Sequence, residues 1–205
     1  MADALTDLAG RIAALPAGRR LVALAGPPAS GKSTVAERLA AEVARLGRSA
    51  QVVPMDGFHL DNATLDARGL RARKGAPETF DVARLLTLVR EVRAGGAVSY
   101  PTFDRAADAT VPGGGLLGAD IAIFEGNYLL LDEGPWRALH PFWEVTAMLD
   151  VPEAELRARL VSRWRAHGLS EAAALARAEE NDLPNGRRVL ARSVVADVAV
   201  TNTAS

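Results

Sequence analysis

One stretch constrains the fold of this chain more than any other. Leu21–Ala25 is an unbroken apolar run, followed at once by Gly26-Pro-Pro-Ala-Ser-Gly-Lys-Ser-Thr34 and then by apolar residues at Val35, Leu39, Val43 and Leu46. A short run that is apolar at every position suits a strand buried on both faces, and the three-to-four-residue spacing after it suits a helix with one buried stripe. The order is strand, glycine-rich turn, helix. Within it, residues 26–34 fit G-x-x-x-x-G-K-[ST], a loop whose backbone N–H groups can wrap a polyphosphate at a helix N-terminus, where about half a positive charge collects. Four fixed positions recur by chance in roughly one chain in a hundred of this size. The chain also holds 22 arginines and only two lysines, and one of the two is Lys32, inside the loop. A slim stem ending in a compact ammonium fits such a loop better than a planar guanidinium fork, so chemistry accounts for the lysine there.

The remaining composition narrows the classes. At 205 residues with 49% apolar content, the chain can bury a full core as a single domain, residues 1–205. A formal charge of −1 gives no electrostatic case for nucleic acid, and the lack of cysteine removes thiolate metal sites and thiol nucleophiles and fits a reducing cytoplasm. No apolar run is long enough for a membrane span. Met1 to Leu15 carries Leu5, Leu8, Ile12 and Leu15 at helical spacing and reads as an amphipathic packing helix. The expected partner is a small molecule, with no nucleic acid and no membrane; a homodimer stays open.

Further strands are expected at Ala50–Pro54, Ala119–Phe124, Val145–Val151 and Ala196–Val200, with a short or extended stretch at Val98–Phe103. Helices are expected at Asp81–Arg93, from Pro152 through Trp164, at Glu171–Glu180 and at Arg187–Arg192, and a turn at Pro112-Gly-Gly-Gly115. Leu60–Thr79 is polar and weakly periodic, a loop or set of short helices over a site. Trp136, Phe142 and Trp143 read as core residues. Strands alternating with helices predict an α/β fold: a doubly wound, mostly parallel five-stranded sheet with helices on both faces.

In such sheets sites form at the carboxyl ends of strands, and the loop at Gly26, Asp56 and Glu125 all follow predicted core strands. By residue type alone, either carboxylate can take a proton from an attacking hydroxyl while the other supports Mg²⁺, and the Ser33 hydroxyl can ligate the same ion. His59 can bond substrate or orient the base, and Asp104-Arg105 reads equally as a substrate clamp or a surface ion pair. Arg157, Arg159, Arg163 and Arg165 lie on one predicted helix, 159 and 163 on one face.

Asp56-Gly-Phe58 and Arg73-Lys-Gly-Ala-Pro-Glu-Thr-Phe-Asp81 resemble motifs of the pantothenate kinase, uridine kinase and phosphoribulokinase group of P-loop kinases, and the likeness runs through Ile123-Phe-Glu-Gly126 to the final strand. Within that group the chain is similar to short bacterial proteins labelled fructokinase or nucleoside triphosphate hydrolase-domain protein. The resemblance implies a P-loop NTPase fold with a phosphate loop at 26–34, a substrate-side loop at 55–81 and a small helical lid at about 157–182. It also implies ATP, held by Gly26, Pro27, Pro28, Ala29, Ser30, Gly31, Lys32, Ser33 and Thr34, with Mg²⁺ at Ser33 and Glu125. Asp56 then matches the catalytic base, Arg163 the lid arginine over the transferred phosphate, and Lys32 the loop lysine. His59, Lys74, Asp104, Arg105 and Asn185 fall on the substrate side. Where pantothenate kinases place an aromatic hydroxyl, a histidine and a tyrosine, this chain has Phe103, Arg105 and Leu160, which weakens pantothenate as substrate. With aromatics at 5%, base-stacking residues of the uridine kinase kind are not evident either.

The expected function is an ATP-dependent kinase acting on a hydroxyl of a small metabolite, a sugar such as fructose first, with pantothenate or a nucleoside as alternatives. A nucleotide hydrolase or switch acting with a protein partner is the reading from another class. It has no N-K-x-D element for reading guanine.

Overall fold

A computed structural model describes residues 2–203 of the chain. Its centre is a five-stranded, all-parallel sheet in the order β2-β5-β1-β6-β7, formed by β1 (Arg20–Ala25), β2 (Ala50–Pro54), β5 (Ile121–Gly126), β6 (Val145–Asp150) and β7 (Val198–Thr201). β1 lies between β5 and β6 and is buried from Leu21 to Ala25, and all six residues of β5 are buried. Leu21–Ala25 and Ile121–Phe124 are therefore apolar at every position instead of alternating, as a strand covered on two faces requires, and Glu125 is the one buried charge of the two strands, at the carboxyl end of β5.

One face of the sheet is covered by α1 (Ala2–Ala13) and α2 (Lys32–Arg45) through Leu5, Leu8, Ile12, Val35, Leu39 and Val43. Met1, the first residue of the predicted packing helix, lies outside the described residues. Leu46 caps α2 and stays 44% exposed, so the buried stripe ends at Val43. The opposite face is covered by α4 (Val82–Ala94) and the segment Gly134–Phe142, whose Leu85, Val89, Trp136 and Leu139 share a core with Phe80, Phe124 and Tyr128. Trp136 is fully enclosed there, with Phe142 and Trp143 packed against the same core. Each fully buried aliphatic or aromatic side chain contributes about 1.5–3 kcal/mol. Among the described residues no helix is long and apolar enough to cross a membrane.

Two expectations are corrected. Pro112–Gly115 is not a turn. It lies within β4 (Ala109–Leu117), which pairs antiparallel with β3 (Val98–Asp104) in a separate hairpin whose turn falls at residues 105–108. The glycines serve cross-strand packing: a Cβ on Gly115 would sit 2.2 Å from the Tyr100 ring, and one on Gly114 would sit 2.0 Å from Thr102 Oγ1. Side chains of β3 thus fold over bare backbone on β4. The second correction concerns the C-terminal helices. After α5 (Glu153–Ala166), α6 (Glu171–Arg177) and α7 (Leu183–Arg192) are joined by a π-helical turn, Ala178–Asp182, into one rod. Pro184 supplies the cause, because its ring crowds the carbonyl four residues earlier and its nitrogen has no hydrogen to donate, which widens the preceding turn. The segment 55–81 contains α3 (Asn62–Ala67), capped by Asp61 accepting from Thr64 N–H at 2.7 Å, and single helical turns at Arg71–Arg73 and Pro77–Thr79.

Candidate active site

The carboxyl ends of β1, β2 and β5 open into one cleft of about 880 Å³. On one side, the loop from β1 turns into α2 at Gly31, whose φ of +86° is left-handed and open to glycine at little cost. No side chain caps α2, which leaves the first N–H groups of the helix free to meet an anion. Lys32 is buried and donates from Nζ to Pro27 O at 2.8 Å. Burial lowers its pKa to about 8, against the pull of Glu125 and Asp56. Ser33 Oγ donates to Glu125 Oε1 at 2.9 Å, and burial raises the pKa of Glu125 despite Lys32 nearby.

The same loop is braced from behind. Arg159 on α5 donates from Nη1 to Ala29 O and Ser30 O, each at 3.3 Å, and from Nη2 to Asn202 O at 2.8 Å, while Asn202 Nδ2 donates to Ser30 O at 2.7 Å. Ala29 holds a φ of +63°, uncommon for a residue with a Cβ, and these bonds fix the carbonyls beside it. Arg159 and Arg163 do share a helix face, but they divide the work. Arg159 holds loop backbone, and Arg163 lines the cleft with Arg105, Asp182 and Asp56 as its charged neighbours. Arg157 pairs with Glu179 and Glu153 instead, and Arg165 lines a separate shallow cavity with Val161 and Leu169.

Across the cleft, Asp56 sits on a single helical turn, Met55–Phe58. Gly57 in that turn lies so close to β3 that a Cβ would approach Pro101 O to 2.0 Å, which explains the glycine after the acid. The Asp56 side chain is one-third exposed and accepts from Arg105 Nη2 at 2.8 Å. Arg105 belongs to the β3–β4 turn, so the hairpin reaches back over the carboxyl end of β2. His59 stacks on Phe80 with centroids 4.1 Å apart and tilts against Phe103 at 5.0 Å. Its burial, reinforced by Lys74 and opposed by Asp56, lowers its pKa to about 4, so the ring is neutral at ordinary pH. Lys74 Nζ donates to Asn62 Oδ1 at 2.8 Å, Asp108 Oδ1 at 2.7 Å and Asp108 O at 3.2 Å, and lies 5.1 Å from the Phe103 centroid. Its ammonium thus ties Asn62 on α3 to Asp108 at the hairpin tip.

Lys32, Ser33, Asp56, Glu125 and Arg163 thus share one cleft with His59, Lys74 and Arg105. Two predicted substrate residues do not line it. Asp104 is exposed and accepts from the backbone N–H groups of Ala106 and Ala107, a turn cap at the root of the hairpin tip. Asn185 is buried on α7 and is not among the residues lining the cleft; its neighbour Gly186 has its Cβ position 3.3 Å from Pro27. Conversely, Asn127, Asp108, Trp164, Arg177 and Asp182 line the cleft without having been singled out. Asn127 carried a usable signal, two residues beyond the strand-end Glu125. The others depend on where the hairpin tip and the lid rod come to rest, and no local pattern encodes that.

Comparison with known proteins agrees with this geometry. A family model described as "Phosphoribulokinase / Uridine kinase family" matches residues 21–157. YggC of Escherichia coli K12, an uncharacterized protein, is 41% identical over 92% of this chain and 80% of its own length. A Schizosaccharomyces pombe protein named as a candidate uridine kinase is 36% identical over 89% of this chain and 83% of its own. Among solved structures, a protein from Silicibacter sp. TM1040 described as a candidate fructose transport system kinase superposes with a TM-score of 0.92 at 48% identity, covering 96% of this chain and 98% of that one. With its phosphate loop on β1, its strand-end acids in one cleft and a family match spanning most of its length, the chain belongs to the phosphoribulokinase and uridine kinase family of P-loop kinases.

Proposed function

We propose that the protein is an ATP- and Mg²⁺-dependent kinase that transfers the γ-phosphoryl group to a hydroxyl of a small polyol, with a sugar such as fructose as first candidate. The observation that carries this reading is the position of Asp56, a partly accessible carboxylate facing the same cleft as Lys32 and the Ser33–Glu125 pair. ATP, when bound, would supply the transferable phosphoryl group, and Mg²⁺ would supply positive charge beside its phosphates. The residues fit both. The uncapped N-terminus of α2 and the Lys32 ammonium suit phosphate oxygens. A hydroxyl and one buried carboxylate suit a magnesium ion that keeps water and phosphate as its other ligands; no cluster of three or more acidic or histidine side chains forms a cage among the described residues.

Lys32 and the loop N–H groups orient the phosphates, Glu125 with Ser33 holds the metal side, and Asp56 accepts the proton of the attacking hydroxyl. Arg163 meets the charge that develops on the transferred group. Positioning and fixed charge carry most of such a rate enhancement.

The choice of a polyol rests on the acceptor side. Phe103 and Trp164 line the cleft, but Lys74 lies over Phe103 and Arg177 over Trp164, and His59 is tilted against Phe103. A cation of the protein already lies over each ring, which disfavours a stacked nucleobase, while Asp56, Arg105, Asp108 and Asn127 offer hydrogen bonds to hydroxyls. The description of the Silicibacter protein supports the same class. An ATP-consumption screen with hexoses, pentoses, nucleosides and pantothenate tests the reading. A sugar should stimulate ADP formation at least about tenfold over the acceptor-free rate, as expected when an oriented hydroxyl replaces adventitious water. Stimulation by a nucleoside or pantothenate alone would move the assignment to that acceptor. An equal rate with every compound would make the protein a hydrolase.

A further inference from the structure

The acceptor-side loop and the lid are distant in sequence yet meet chiefly through Arg177, with one longer bond from Asn181 beside it. Arg177, in the last turn of α6, donates from Nη1 to Ala72 O at 2.6 Å and from Nη2 to Lys74 O at 3.2 Å. Its guanidinium lies 5.3 Å from the ring centroid of Trp164 on α5. Trp164 donates Nε1–H to Asp182 Oδ2 at 2.6 Å, and Asn181 reaches Lys74 O at 3.4 Å, so the π turn closes the same network. Beyond Lys74 the chain of bonds continues. The Lys74 ammonium holds Asp108 in the hairpin turn, and Arg105 in that turn holds Asp56. Trp164 itself is the neighbour of Arg163.

We propose that Arg177 is a positioning residue that fastens the acceptor wall of the cleft to the lid, so that nucleotide engagement on the lid side and ordering of residues 71–76 occur as one event. The proposal rests on the kinase reading above. A planar fork bonded to two carbonyls and stacked on an indole has few alternative placements, and a lysine could reproduce only part of this arrangement. Any ligand that favours one placement of α5 and α6 must then favour one placement of the Ala72–Lys74 backbone. Because such linkage is reciprocal, an acceptor must raise nucleotide affinity by the factor that nucleotide raises acceptor affinity, about 5- to 150-fold in typical coupled sites.

The test is amide hydrogen exchange with and without Mg²⁺ and the non-hydrolysable analogue AMP-PNP, on the natural protein and on Arg177→Gln and Arg177→Lys. The amides of Arg73, Lys74, Gly75 and Ala76 are all hydrogen-bonded and therefore report on the loop. The expected result is nucleotide-dependent protection at residues 26–34 in all three proteins. At residues 71–76 the added protection should appear in the natural protein, vanish in Arg177→Gln and return in part in Arg177→Lys, a rescue that a misfolded variant would not give. An undiminished gain at 71–76 in Arg177→Gln would overturn the proposal. So would protection at 26–34 without any at 71–76 in the natural protein, which would leave the kinase reading standing. No protection at 26–34 in the natural protein would overturn both.

Discussion

The two lysines stand in walls of the cleft that are built by different means. Around Lys32 the wall is backbone. A glycine-rich turn joins a buried strand to a helix, its carbonyls braced by Arg159 and Asn202, and its one ammonium is buried against Pro27 O. Around Lys74 the wall is side chain. A loop of short helical turns and a hairpin tip are pinned together by Lys74, Asn62 and Asp108, with Asp108 about half exposed. The first kind of wall is fixed by adjacent residues and by the sheet. The second exists only when segments distant in sequence find each other. Loops of the second kind can vary without disturbing the sheet.

Paired substitutions test the division, and they carry the largest expected effect. Lys32→Met should raise the dissociation constant for Mg²⁺·ATP about 100-fold or more, since it removes a charge-assisted contact from a desolvated site. Lys74→Met should leave that constant within about threefold and raise the acceptor KM about tenfold, because it frees the hairpin tip while disturbing only a partly exposed ion pair. Isothermal titration and steady-state kinetics separate the two. Equal loss of ATP binding in both variants would break the comparison.

A smaller effect is expected from pH. Lys32 has a pKa lowered to about 8 by burial, and bound phosphate, being anionic, must raise it. The free protein loses this proton as pH climbs through about 8 while the complex retains it, so ATP affinity should be flat below that pH and weaken above it, approaching tenfold per unit. His59 contributes nothing in this range, since its pKa of about 4 keeps it neutral throughout. Titrations between pH 6 and 9.5 provide the check, and Lys32→Met should abolish the inflection.

The same difference between walls governs what could be read from the sequence. The strand, loop and first helix were legible because each residue's role depends on its neighbours, and Asp56 and Glu125 were legible as acids at the carboxyl ends of core strands, although Glu125 still belongs to β5. The hairpin was misread at Pro112–Gly115 because its glycines answer to Tyr100 and Thr102 on the opposite strand, a relation that local turn chemistry cannot express. For the same reason residue type alone does not separate Asp104 from Asp108. The two differ by four residues, and only the turn between the strands decides which caps backbone and which reaches Lys74. Four arginines on α5 looked alike in sequence, and the surroundings of that helix alone separate Arg159 at the loop from Arg163 in the cleft. Nothing local marks Arg177, since the carbonyls it holds lie more than a hundred residues away.

The most direct test of the central claim, that the acid at the end of β2 takes the acceptor proton while the wall of β1 and α2 holds the nucleotide, is Asp56→Asn, measured at once for transfer and for nucleotide binding. The account predicts that acceptor-dependent ADP formation falls by about 10³ or more, at the strong end of proton-transfer contributions, while the dissociation constant for Mg²⁺·ATP stays within about threefold. Retained turnover in Asp56→Asn, or a loss explained entirely by failure to bind ATP, would contradict it.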